Sequence, residues 1–313
     1  MARTGASGVE PGVLAERAAL LATLREAMVT RGMLEVDTAL VSTAAPSERA
    51  LECLAVETAG YLVPSPEHGL KRLLVEAQRS LYQLGHVFRA GEVGRWHNPE
   101  FTMLEWYELG ASMQDAIDTL GAVLAAAGAP VPSRQRTYRD VFIDTLALDP
   151  LTASRADLER CADAHGVAPP KAGGDRVFWL DLLMGMVIQP CLGAHGPEIV
   201  THFPADDAVL IALDADDARI GQRFECFWQG IELANGAREL TDAELARQRM
   251  QREQAARAEQ GQAQPPIDER LLAAMATGLP ECAGVALGVD RLLALLTGST
   301  GLAAVMPFAW PAR

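Results

Sequence analysis

Three groups of residues have the types and spacing to do chemistry. The first runs from Arg89 to Glu105. Arg89, Arg95 and His97 gather cationic side chains within one polar stretch, forming a local anion site suited to phosphates. Beyond it, Phe101, Met103, Glu105, Tyr107 and Leu109 have equal parity, so on a strand they share a face. A buried sheet face does not carry an unpaired carboxylate. Glu105 is therefore either paired internally or reserved for a cationic ligand, and Phe101 taken alone reads as core.

The second group lies between Gly230 and Glu239, where Glu232 and Glu239 flank an Asn235-Gly236 pair. Asn-Gly signals a turn. Hard cations take carboxylate oxygens and share phosphate oxygens, so acids facing a polyphosphate would suit Mg²⁺. A plain turn with surface acids has the same pattern. The third group is Gly284 to Arg291, a glycine-punctuated strand running into an apolar helix with Arg291 in its first turn. A cation there opposes the helix dipole, and a bound anion would resolve the conflict. Asp290 offers another resolution, as partner of the dipole or of Arg291.

Periodicity and punctuation define the elements that must position these groups. Residues 11–31 read as a helix opened by Pro11 and stopped by Gly32, followed by a strand over 34–41. Ser65-Pro66-Glu67 starts a helix to about Gln78. Leu81–Phe88 and Glu100–Leu109 form a long antiparallel hairpin with Ala90–Asn98 as its loop. Segments 114–127, 138–146, 155–165 and 177–189 are helical. Phe224–Leu233 is a strand. Thr241 to Glu244 is a capping box opening a helix to about Glu259 that is polar all round and expected to be exposed. A short helix follows at 268–276, then a strand at 285–287 and a helix at 290–296. Without regular βαβ alternation, the fold class is α+β, an antiparallel sheet flanked by helices.

The 313 residues carry 27 Lys plus Arg against 41 Asp plus Glu, a formal charge of −14, which argues against a phosphate-gripping nucleic-acid binder. Five scattered cysteines, none in a C-x-x-C pair, read as reduced thiols of a cytoplasmic protein. No secretory signal or membrane span is expected.

Together the three groups resemble the class II aminoacyl-tRNA synthetase motifs. Phe88 to Glu105, with the string HNPEFTMLEWY, is similar to motif 2 of the lysyl branch. Gly284–Arg291 resembles motif 3, and Arg31–Val36 motif 1. The likeness covers nearly the whole chain. Motif 1 begins so early that no anticodon-binding domain is expected. The catalytic core alone resembles the elongation factor P–lysine ligase family, a lysyl-tRNA synthetase paralogue. That family activates (R)-β-lysine with ATP and transfers it to the ε-amino group of one lysine on elongation factor P. Ala286 stands where lysyl-tRNA synthetases tend to carry Gly, which favours the ligase branch.

The resemblance implies roles. Arg89 would bind the α-phosphate and Arg291 would act with it in catalysis. Arg95 and His97 would hold the outer phosphates, and Phe101 and Arg291 would sandwich adenine. Glu92, Asn98, Leu233 and Gly288 would complete the ATP site. Glu232 and Glu239 would hold Mg²⁺. Ser65, Glu67, Glu105, Tyr107, Asn235, Glu239 and Ala286 would line the pocket for (R)-β-lysine or lysine. It further implies a homodimer, no tRNA partner and no membrane partner. The expected organisation is a flexible 1–10 and one catalytic domain over 11–313, with a mostly helical insertion at about 112–190. Three positions depart from the family: Gly91 where Glu is usual, with Glu92 one place later; Ala39 where motif 1 ends in Pro; and a short stretch between Glu57 and Ser65. Two alternatives share these residues: a lysine-type adenylating enzyme with another acceptor, and a non-catalytic regulatory module.

Overall fold

The computed structural model describes residues 8–49, 51–168 and 174–310. In chain order its elements are α1 (Pro11–Thr30), β1 (Leu34–Glu35), β2 (Val41–Ser42), β3 (Ala55–Val56), β4 (Gly60–Leu62), α2 (Glu67–Ala77), β5 (Leu81–Phe88) and β6 (Glu100–Leu109). They continue with α3 (Met113–Ala126), β7 (Arg134–Thr137), α4 (Tyr138–Leu146), α5 (Arg155–Ala164), α6 (Arg176–Leu183) and β8 (Glu198–Pro204). The last are β9 (Ile220–Trp228), β10 (Ile231–Arg238), α7 (Ala243–Glu259), α8 (Glu269–Gly278), β11 (Cys282–Gly288) and α9 (Val289–Leu296). Eight strands form one sheet in the order β1-β5-β6-β11-β10-β9-β8-β7, and β2-β4-β3 form a small second sheet. The large sheet is antiparallel except at its edges, where β1 runs parallel to β5 and β7 to β8.

The central strand explains where the cavity lies. On β11, Ala283, Val285 and Leu287 point to one face and pack with Leu24, Met28, Leu120, Leu292 and Leu293 of α1, α3 and α9. On the opposite face β11 offers Cys282, which packs into one flank, and then only Gly284, Ala286 and Gly288. That face is covered on one flank by the cluster of Leu70, Leu74, Leu81, Leu271 and Met275. On the other flank it is covered by Tyr138, Phe142, Leu180, Val200 and Phe227. A trench remains between them, floored by the small residues of β11.

The β5–β6 hairpin forms over the expected residues. Elsewhere the structure corrects the sequence reading. Phe224–Leu233 is not one strand: Gln229 and Gly230, both with positive φ (52° and 74°), turn the chain between β9 and β10. Asn235-Gly236 therefore lies within β10 and is no turn. Strand 34–41 shrinks to β1, and β7 and β8 were not anticipated. The start of α7 is capped by Asp242, which accepts from the amides of Glu244 and Leu245, rather than by Thr241. Nor is α7 an exposed helix: Arg249, Glu253 and Arg257 are buried with Ala246 and Met250. Glu253 takes a bidentate Arg49 at 3.0 Å per bond, and Arg249 and Arg257 donate to loop carbonyls. A helix without an apolar stripe is buried here because its charges meet partners. Residues 1–7 of the expected flexible N-terminus lie outside the described residues, whereas Val9 is 2% exposed. Among the described residues no helix is long and apolar enough to cross a membrane.

Candidate active site

The trench is a cavity of about 460 Å³. Its middle is one transverse row: Gln83, Glu105, Ala286, Asn235 and Glu225 are directly paired across β5, β6, β11, β10 and β9. Paired residues on neighbouring strands share a face, so Glu105 and Asn235 stand on either side of the Ala286 methyl.

One end of the cavity is acidic. Glu105 is buried and accepts from Ser65 Oγ at 2.7 Å and Tyr107 OH at 2.9 Å. Burial, with the nearby Glu67, raises its carboxyl to about 7 against those hydroxyls and Lys71. The open alternative for Glu105 resolves as hydroxyl partners, not an ion pair. Ser65 Oγ also accepts from the Glu67 amide at 3.0 Å, joining the start of α2 to β6. Glu67 and Glu239 share the fully buried Lys71, at 2.6 and 2.5 Å. Gly284 is required beside them, since a Cβ there would lie 2.3 Å from the Tyr107 ring and 2.7 Å from Glu239 Oε1.

The other end is cationic. Arg89 donates to the Pro64 carbonyl, pairs with Glu92 at 3.4 Å and lies over the Phe101 ring at 5.2 Å. Arg291 donates to the carbonyls of Trp96 at 3.1 Å and Glu232 at 2.9 Å. Carbonyls and loose carboxylate contacts, Glu92 at 3.4 Å and Glu232 at 3.8 Å, hold these guanidiniums in place and leave part of their charge for a ligand. Asp290 is not their partner: it pairs with Arg17 of α1 at 2.5 Å and accepts from the Thr102 amide. His97 lines the cavity, and burial with Arg291 beside it lowers its pKa. Leu233, Gly288, Phe101 and Glu92 also line it.

Two expected phosphate-side residues behave differently. Arg95 donates to the Thr300 carbonyl and stacks over Trp96, outside this cavity. Asn98 lines the wall, but its amide nitrogen donates to Glu100 O and its oxygen accepts from Trp310 N. Its role in the structure is to tie the loop to the chain's last described residues.

Both carboxylates of the expected metal pair, Glu232 and Glu239, line the cavity. Glu239 is paired with Lys71 and stands toward the acidic end, at most about 23 Å along the chain from Glu232 by the rise of an extended strand. A bulge between Glu232 and Ala234 shifts the β10 register so that Glu232 joins Asn235 on the cavity face. This places it diagonally across from Glu225, about 7–8 Å away for such neighbours. Burial, and behind it Glu232 and Asp181, pushes Glu225 to about 8 despite Arg223 at 2.5 Å. Sequence reading missed Glu225 and Arg223. Their alternation with Phe224 and Cys226 was the available signal, a half-buried strand with a polar face. Among the described residues no group of three acids, histidines or cysteines could hold a metal unaided. Two carboxylates completed by phosphate oxygens and water fit the habits of Mg²⁺.

A sheet of this order, with a cationic hairpin loop at one end of its cavity and an arginine opening the following helix, is a class II synthetase core. The family model for class II tRNA synthetases (D, K and N) matches residues 11–311, and the chain belongs to that family. Among curated relatives, the elongation factor P–(R)-β-lysine ligases of Salmonella typhi and Salmonella paratyphi B are each 39% identical over 307 residues, covering 94% of both chains.

Proposed function

We propose that the chain activates (R)-β-lysine with ATP and passes the β-lysyl group to the ε-amino group of a lysine on elongation factor P. The observation that carries this is the polarity of the cavity, with Arg89 and Arg291 toward one end and Glu67, Glu105 and Glu239 at the other. A diamino acid fits with its ammonium groups among the acids and its carboxylate toward the arginines. The likeness to the Salmonella ligases supports the same substrate and acceptor.

Arg89 then neutralises charge developing on the α-phosphate as the substrate carboxylate attacks in line and pyrophosphate leaves. The protein contributes position and field rather than a covalent nucleophile. Phe101 and Arg291 bracket the adenine, with Gly288 leaving room beneath, and His97 contacts the outer phosphates. Glu232 and Glu225 would hold Mg²⁺, which when bound shields the polyphosphate charge. Ala286, between Glu105 and Asn235, narrows the floor beneath the substrate's amino group.

We also place a homodimer contact on the side of α1 and β1, where Val29 is 62% and Leu34 39% exposed beside Leu40 and Val41. The deciding experiment is ATP–pyrophosphate exchange with (R)-β-lysine against α-lysine, followed by the mass of elongation factor P after incubation. Exchange favouring (R)-β-lysine with one β-lysyl mass added is the expected result. Absence of both overturns the reading.

A further inference from the structure

One buried cation has no place in the reaction as described. Lys71 lies on α2, one turn after Glu67, and its side chain is 0% exposed. Its neighbours on the same helix, Leu70 and Leu74, are ordinary core residues. A lysine is almost never fully buried unless it is paired. Here Nζ meets Glu67 Oε1 at 2.6 Å and Glu239 Oε2 at 2.5 Å, and lies 5.6 Å from the centre of the Tyr107 ring. One ammonium thus joins α2 to the end of β10 across the closed end of the cavity.

The charges there can be counted. Glu105 and Glu239 are buried at the acidic end with the partly exposed Glu67 beside them, and Lys71 is the one cation that contacts any of them among the ion pairs described. Glu105 is met by hydroxyls alone. With all three acids ionised, the end carries an excess of two negative charges. We propose that Lys71 is a positioning residue for substrate selection: it locks Glu67 and Glu239 in place and trims the pocket's charge to the value that a substrate with two ammonium groups neutralises. The inference rests on the diamino-acid reading of the cavity and deepens it.

Without Lys71, the Glu67 and Glu239 carboxylates face each other with no countercharge, and such a pair separates or shares a proton. Either outcome withdraws hydrogen-bond acceptors from the substrate. Burial alone would favour loss of the lysine's proton, but Glu239 and Glu67 outweigh it and keep the ammonium charged.

The test is chemical rescue in ATP–pyrophosphate exchange on the full chain. Lys71→Ala removes three methylenes and the ammonium, a gap the size of n-propylammonium. Lys71→Met fills the space without the charge. Both variants are expected to raise the KM for the diamino acid at least tenfold, with the KM for ATP within twofold of the wild type. Millimolar n-propylammonium restores Lys71→Ala severalfold, whereas n-propanol does not, and Lys71→Met responds to neither. A KM unchanged in both variants overturns the proposal, as does equal rescue by propanol, which would make Lys71 a space filler. If Lys71→Ala fails to fold by circular dichroism, the Lys71→Met KM decides. Wild-type protein that exchanges with no diamino acid refutes the functional reading instead, so the two failures are distinguishable.

Discussion

The two ends of the cavity are built by opposite means. At the phosphate end, Arg89 and Arg291 are held mainly by the carbonyls of Pro64, Trp96 and Glu232, with looser carboxylate contacts to Glu92 at 3.4 Å and Glu232 at 3.8 Å, on a loop and a helix start. At the amine end, Glu105 of β6 and Glu239 after β10 are enclosed while Glu67 of α2 is 28% exposed, and the three are held by two hydroxyls and a lysine. Carbonyl anchors orient a cation while leaving its charge to act outward. Enclosed acids act over a short range in a poorly screened setting, where a mismatched charge is costly. The first arrangement suits a polyphosphate that comes and goes. The second suits discrimination between amines.

The comparison can be broken at either end. Arg89→Ala is expected to lower pyrophosphate exchange by about 10²–10³-fold at saturating substrates, because a donor aimed at developing charge is lost. A loss confined to the KM for the amino acid would contradict the division of labour. Glu253→Ala removes the bidentate partner of Arg49 and leaves it Asp175 alone, and should cost about 1.5–3 kcal/mol in denaturant unfolding. Glu105→Gln keeps the shape of the amine end but weakens its hold on an ammonium. The KM for the diamino acid should rise about 10–100-fold while the KM for ATP stays put.

The same group gives the comparison a pH signature. Glu105 sits at about 7 instead of the ordinary 4.5, facing Glu67 and Lys71 of α2, Ser65 and Tyr107. An ammonium binds its ionised form. Amino-acid affinity should therefore climb as pH rises toward about 7 and level off above it. Calorimetry at pH 6 in buffers of different ionisation enthalpy should show proton release, which Glu105→Gln reduces. The stability sign is opposite: the folded state keeps this proton more tightly than the unfolded chain, so the site loses stability as pH rises from 4.5 through about 7. The smallest effect belongs to Ala286→Gly. Removing one methyl should change the preference between α-lysine and (R)-β-lysine by about tenfold, read as the ratio of kcat/KM values.

Most of the hairpin was legible because β5 and β6 alternate cleanly and their loop is polar. Parity alone placed Phe101, Glu105 and Tyr107 on the cavity face. Ala286 became interpretable only with its register, which sets it between Glu105 and Asn235. Lys71 and α7 were hidden for a common reason. A charged residue on a helix reads as solvent-facing, and only tertiary pairing shows that Lys71, Arg249 and Glu253 are interior. Glu225 was obscured by treating 224–233 as one strand.

The extra residue in β10 has a consequence for how this site tolerates change. Beyond the bulge, Glu232 shares the cavity face with Asn235 only because one position is left over in the pairing with β9. No substitution of Leu233 alters that count. Deletion of a single residue from this strand would restore regular pairing while turning Glu232 toward the helix-covered core. The Glu232 side of the site is thus buffered against point replacement and brittle to changes in length, so variation along β10 should take the form of substitutions and not of insertions or deletions.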